Sequence, residues 1–333
     1  MLHDDLLLVI SLLFAVSLLT LLSPKLRIAH PILVVLGGLV IAFIPGVPHV
    51  HLEPELVFLV FLPPLLYEAA WFTSWREFWR WKRSILLLAF GLVFFTSLVV
   101  ACFTSWLIPG FTLALGFLLG GIISPPDAVA ATSVLKGLRI PRRATTILEG
   151  ESLVNDASSL IVFRFALAAI ISGQFVAADA LQQFAIVVFG GIAAGLAIAH
   201  VVYFLHRMLP TTPAIDTAMT LMTPYLMYIV AEHFHCSGVM AVVSGGLFLS
   251  FRSHDFLDYR SRIMAYNVWS TLSFVLNGLV FILIGLELPL IIEGTSDAEL
   301  RQAVIYGFAV SGIVVAIRFL WMYPAAHIPR WLF

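Results

Sequence analysis

Residues 112–134 read TLALGFLLGGIISPPDAVAATSV, and this stretch decides the fold. It is long and apolar enough to cross a bilayer, for which about 20 apolar residues suffice. Yet Ser124-Pro125-Pro126-Asp127 stands at its centre. Each proline removes a backbone donor and clashes with the carbonyl four residues back. The helix is therefore predicted to break over 122–126, with Gly120 and Gly121 loosening the chain just before it. Carbonyls freed at membrane depth are tolerated only against protein or water. The second half is predicted to start near Asp127, whose carboxylate can cap the exposed amides. Unwound carbonyls beside a carboxylate suit a small hard cation; a plain proline kink is the alternative reading.

The surrounding composition agrees with a membrane setting. Of 333 residues, 61% are hydrophobic and only 11% charged, with a mean hydropathy of +1.03, against about 25% charged residues in a soluble domain. That excludes a soluble enzyme. A net charge of −1 without long basic runs excludes a nucleic-acid binder. Cys102 and Cys236 are too few for a disulfide framework. The first apolar run follows the acidic start MLHDD, so it reads as a retained helix rather than a cleaved signal.

Eleven segments are predicted to span: 6–22, 31–45, 56–72, 84–108, 112–134, 147–171, 183–206, 217–234, 237–251, 266–290 and 302–323, those at 31–45 and 237–251 being short. The basic residues test the list. Lys25 and Arg27, Arg76 to Arg83, Lys136 to Arg143, Arg207, Arg252 to Arg262 and Arg330 make 15 of the 18, and all follow odd-numbered segments. Arg301 alone lies on the other side, and Arg164 and Arg318 fall within spans. By the positive-inside rule the N-terminus is outside and residue 333 cytoplasmic.

Charges within spans are costly and so are functional candidates. At a 1.5 Å rise, Asp127 lies about 13 Å, Asp156 about 15 Å and Glu68 about 12 Å from the cytoplasmic edge. Arg318 and Asn277 fall at a similar depth. Three carboxylates against one guanidinium leave room for a cation, where a purely structural network should balance its charge. In the 147–171 segment, Ser152 and Asp156 share a face at i,i+4, with Glu151 and Asn155 on an adjoining one. Ser158 and Ser159 read as helix-packing residues. Arg164 reads as a snorkelling side chain near the outer interface, pairing with an acid being the other reading. The His49/His51 and His233/His235 pairs read as solvated loop histidines rather than metal ligands.

The stretches FLPPLLYEAAWF at 61–72, SPPDAVAATSVLK at 124–136 and LEGESLVNDASSLIVF at 148–163 resemble the monovalent cation:proton antiporters, in the sodium/proton exchanger (NhaP/NHE-like) branch. IVAEHFHCSGVMA at 229–241 and NVWSTLSFVLNGLVFILIGLELP at 267–289 extend the likeness over nearly the whole chain. The resemblance implies an all-α polytopic membrane protein. It would hold about eleven helices of a thirteen-helix inverted-repeat fold, with the broken helix at Ser124–Asp127. The first repeat would be about 1–172, a linking helix about 183–206, and an incomplete second repeat about 217–333. Against that pattern the chain is expected to be C-terminally truncated.

The resemblance also implies roles. Asp156 would take either cation or proton. Asp127 would serve the ion site beside it, with Ser152, Glu68 and the Pro126 backbone carbonyl as further ligands. Family members often carry Thr where Pro126 stands, so a hydroxyl is lost but the carbonyl remains. Asn155 stands where electrogenic relatives have a second acid, so exchange is expected to be electroneutral. Glu151 and Arg318 would hold Asn155 in place. The implied protein is a transporter, not an enzyme, of the bacterial inner membrane. It would need no cofactor beyond the transported Na⁺ (or K⁺ or Li⁺) and H⁺, and it would form a homodimer in the lipid bilayer. The alternatives are an inactive fragment or an accessory membrane subunit.

Overall fold

The computed structural model describes residues 2–44, 54–127, 131, 140–173 and 177–331. His49, His51, Lys136 and Arg139 lie outside them. Every regular element among the described residues is helical. In chain order these are α1 (Leu2–Leu26), α2 (His30–Ala42), α3 (Pro54–Phe72), α4 (Trp75–Leu86), a π-helical turn (Leu87–Leu92), α5 (Val93–Leu107) and α6 (Leu113–Ile123). After the break come α7 (Arg142–Ser172), α8 (Ala177–Met208), α9 (Pro213–His233), α10 (Gly238–Phe256), α11 (Tyr259–Ile292) and α12 (Asp297–Trp331).

Among the described residues, seven helical stretches are long and apolar enough to cross a membrane, and three shorter apolar helices accompany them. The outer surface suits lipid, since Ile171, Phe308 and Phe319 are each more than three-quarters exposed. Several helices overrun the predicted limits. The helix predicted to begin at 84 starts at Trp75, and α11 and α12 reach Tyr259 and Trp331. The reading from apolarity found the part inside hydrocarbon, whereas helices continue into the headgroup layer with polar and aromatic faces.

The tight helix pairs rest on small residues, because lipid gives apolar side chains no reason to prefer protein. Gly116 and Gly120 of α6 meet Ala101 and Ser97 of α5, and a Cβ on Gly120 would stand 2.6 Å from the Ser97 Cα. On α2 and α11, Gly38 and Gly285 let backbones touch, a Cβ at either falling 2.2 Å from a facing carbonyl oxygen. Pro63 and Pro64 lie inside the continuous α3. The Val60 carbonyl, four residues before Pro64, accepts a hydrogen bond from the Tyr225 hydroxyl at 3.2 Å. That outside donor replaces the one the proline removed. The core between α3, α7, α9, α10 and α11 closes on fully buried Tyr67, Met227 and Trp269, with the Trp269 indole donating to Thr220 at 3.2 Å.

Candidate functional site

The site begins with a half-length helix. Thr112 caps α6 by accepting from the Leu115 N–H at 3.2 Å. The helix runs 11 residues, about 16 Å, roughly half the 30 Å hydrocarbon thickness. It ends at Ile123, and Ser124 to Asp127 leave the helical path, where the double proline was predicted to break it. Ala131 N–H donates to the Asp127 carbonyl at 3.1 Å, an i,i+4 bond that begins at Asp127.

α7 crosses the break. Its backbone comes close because Gly121 has no side chain, and a Cβ there would lie 3.0 Å from the Phe163 nitrogen. Asp156 lies fourteen residues after Arg142 on α7, about 21 Å along it. Asn155 is fully buried, and its side-chain N–H donates to the Pro126 carbonyl at 3.4 Å. Asp156 is half-buried and Asp127 exposed, and the two carboxylates lie near enough to act on each other electrostatically. Ser152, half-buried, sits one turn before Asp156. Glu151 is 1% exposed and pairs with Arg318 of α12 at 3.0 Å.

The break thus brings together Asp127, Pro126, Asn155 and Asp156, and Glu151, paired to Arg318 of α12, lies on the same helix as the last two. Glu68 lies toward α11, beside the buried Ser273. Asn277, half-buried, follows one turn later on that helix. The Arg318 guanidinium binds Glu151, while the Asn155 amide goes to Pro126.

Three buried oxygens here have no hydrogen-bond partner among the described residues: Ser124 Oγ, Glu151 Oε2 and Asn155 Oδ1. Such orphans are rare in proteins and call for an explanation. The donors are all oxygens, which suits hard cations rather than thiophilic or imidazole-seeking metals. Among the described residues, no group of three or more His, Cys, Asp or Glu could hold a metal. Two carboxylates with neutral oxygens are a modest donor set.

The structure corrects one reading. Arg164 is not an unpaired snorkeller: one guanidinium nitrogen donates to both Glu232 oxygens at 3.0 Å. Glu232 also accepts from the Gly238 N–H at 3.1 Å. The partners are 68 positions apart, so no local spacing could reveal them. Ser158 does join helix to helix, donating at 2.5 Å to the Ala89 carbonyl in the π-helical turn. Asp216 was not singled out from sequence. It is buried, its Oδ2 accepts from the Ser261 hydroxyl at 2.6 Å, and His206 Nε2 stands 3.8 Å from Oδ1. It stands in the first turn of α9, where an acid is common, so its spacing carries no signal of burial.

Residues 9–331 match the family described as "Sodium/hydrogen exchanger, transmembrane". The chain is 34% identical over 303 residues to the "Sodium, potassium, lithium and rubidium/H(+) antiporter" of Bacillus pumilus, covering 88% of this chain and 45% of the relative. It is 32% identical over 298 residues to the Na⁺/H⁺ antiporter ApNhaP of Aphanothece halophytica, covering 88% and 56%. The chain therefore spans about half the length of the curated relatives it matches. Among solved structures it resembles the sodium proton antiporter MjNhaP1 from Methanocaldococcus jannaschii, with a TM-score of 0.74 at 19% identity over 98% of this chain and 78% of that one. That likeness shows the antiporter fold.

Proposed function

The chain belongs to the sodium/hydrogen exchanger family, and from that premise we propose that it is a secondary transporter exchanging Na⁺ for H⁺ across the membrane through Asp156. The observation that carries this reading is the pair of neighbouring carboxylates, Asp127 and Asp156, at the break in α6. A bare charge sunk in the bilayer is costly, so the Asp156 carboxylate is best occupied by a cation or by a proton. Binding Na⁺ releases H⁺, and the reverse. The occupied site carries the same charge either way, so turnover is electroneutral. The ion gradients alone drive it, with no enzymatic step.

In this proposal Asp127, Ser152, Glu68 and the Pro126 carbonyl are the further ligands. Asn155 supplies a dipole, not a second proton, and its bond to Pro126 fixes that carbonyl's direction. The Glu151–Arg318 pair anchors the same helix to α12. We place residue 333 on the cytoplasmic side of a bacterial inner membrane. We also divide the chain into a first repeat, a linking helix at α8 and a second-repeat portion, and propose that it works as a homodimer.

The test is proteoliposomes holding a pH-sensitive dye, challenged in turn with Na⁺, K⁺ and Li⁺. Cation-driven proton movement is expected, unchanged when a potassium ionophore clamps the voltage. Asp156→Asn should abolish it. Wild-type rates in that variant would overturn the carrier role of Asp156.

A further inference from the structure

The first helical turns after α3 carry a feature that the ion site does not use. Residues 75–86 read WREFWRWKRSIL and form one end of a continuous helix of 33 residues, Trp75–Leu107. That length is about 50 Å, against about 30 Å of hydrocarbon, so this end stands in the headgroup layer. The sides of α4 are sharply divided. Phe78 and Ile85 are buried against α7, where a Cβ on Gly150 would lie 2.6 Å from the Ile85 Cδ1. The acid of the segment, Glu77, is drawn to the same side by the Thr146 hydroxyl, which donates to it at 2.8 Å.

The opposite side exposes Arg76, Trp79, Arg80 and Arg83, at i, i+3, i+4 and i+7, which puts them on one face. Trp79 is 55% exposed. Lys82 Nζ sits 3.5 Å from the centre of the Trp79 ring, and the Arg143 guanidinium lies 4.1 Å over Trp81. Beyond Arg83 the same helix exposes Leu86, Phe94 and Leu98, surface of the kind acyl chains cover. The cations therefore lie just where lipid chains end and headgroups begin, and the indoles suit that boundary.

We propose that the Arg76–Trp79–Arg80–Arg83 face is a binding site for an anionic phospholipid. Its phosphate would lie among the guanidinium groups and its chains along Leu86 and the rest of the helix. Charge selects the occupant: clustered cations at the membrane surface attract anionic lipid, whereas a zwitterionic headgroup brings its own ammonium. The proposal rests on the membrane placement of this helix and not on the exchange reaction, so either can fail without the other.

The purified chain in neutral detergent is titrated with phosphatidylglycerol or phosphatidylcholine, and bound copies are counted by native mass spectrometry. Preferential retention of phosphatidylglycerol is expected, weakened at least about ten-fold in R76Q/R80Q/R83Q. It should change less than about two-fold in R252Q/R260Q/R262Q, which removes the same charge elsewhere. Arg80→Gln and Trp79→Leu singly, each checked for monodisperse elution, serve if the triple variant does not fold, and each should show a partial loss. Equal retention of phosphatidylcholine, wild-type binding in the α4 variants, equal weakening in both triple variants, or full competition by inorganic phosphate would overturn the site.

Discussion

Replacing Arg318 by Met would strand the Glu151 carboxylate, which is 1% exposed in side chain and has Arg318 as its ion-pair partner at 3.0 Å. Its second oxygen already lacks a hydrogen bond among the described residues. Breaking one side of a buried pair costs about 3–5 kcal/mol, because the remaining charge is left uncompensated. The Arg318 side chain is 31% exposed, so water screens part of the attraction and the lower end, about 3 kcal/mol, applies. Unfolding entropy of roughly 2.1 cal/mol/K per residue gives the chain about 0.7 kcal/mol/K, so the expected shift is about −4 °C. Thermal unfolding in detergent, followed by tryptophan fluorescence, measures it. Trp321 reports locally, since its indole donates to the Leu87 carbonyl at 3.3 Å and stacks on Phe95 at 4.9 Å. The companion variant Glu151→Gln/Arg318→Met removes both charges and should regain most of the loss, as neutral replacement of buried pairs is often tolerated. Unfolding of Arg318→Met within 1 °C of wild type, or a double variant worse than the single one, would refute the view that this pair holds α7 to α12.

Two further outcomes follow from packing. Gly120→Val puts a Cβ 2.6 Å from the Ser97 Cα and should cost about 1–3 kcal/mol or more by forcing α5 and α6 apart. Gly307→Ala, where nothing lies within 4 Å of the added carbon, should elute from size exclusion like wild type. Ser158→Ala leaves the Ala89 carbonyl without its 2.5 Å donor and should cost about 1–2 kcal/mol. Hydrogen exchange should quicken around residues 87–92, and unchanged protection there would remove Ser158 as the support of the π-helical turn.

The elements were legible wherever one residue type acts through the chain itself. Pro125 and Pro126 end a helix by covalent structure, and the break over Ser124–Asp127 was readable from them alone. The same covalent rule applies to Pro63 and Pro64, yet they sit in an unbroken α3. What differs is a tyrosine 165 positions away that serves the Val60 carbonyl, and no local rule contains that fact. The start of α4 was missed for the opposite reason. Hydropathy locates hydrocarbon, and Trp75 to Arg83 form a helix designed for the layer beside it.

The candidate site shows how depth and contact differ as kinds of information. Counting residues from the basic loops gave one level for Glu68, Asp127, Asp156 and Arg318, and a level is a plane, not a place. Position within that plane depends on which helices are neighbours. α6 lies against both α5 and α7, so Asp127 and Asp156 come together across one interface. α3 lies against α10 and α11, and Glu68 meets Ser273 there. The neighbours are chosen by small residues, through Gly116, Gly120 and Gly121 on α6 and Gly38 and Gly285 on α2 and α11. Glycines with no chemistry of their own thus decide which acids share a site. A change at Gly121 should disturb the Asp127–Asp156 pairing as surely as a change to either carboxylate.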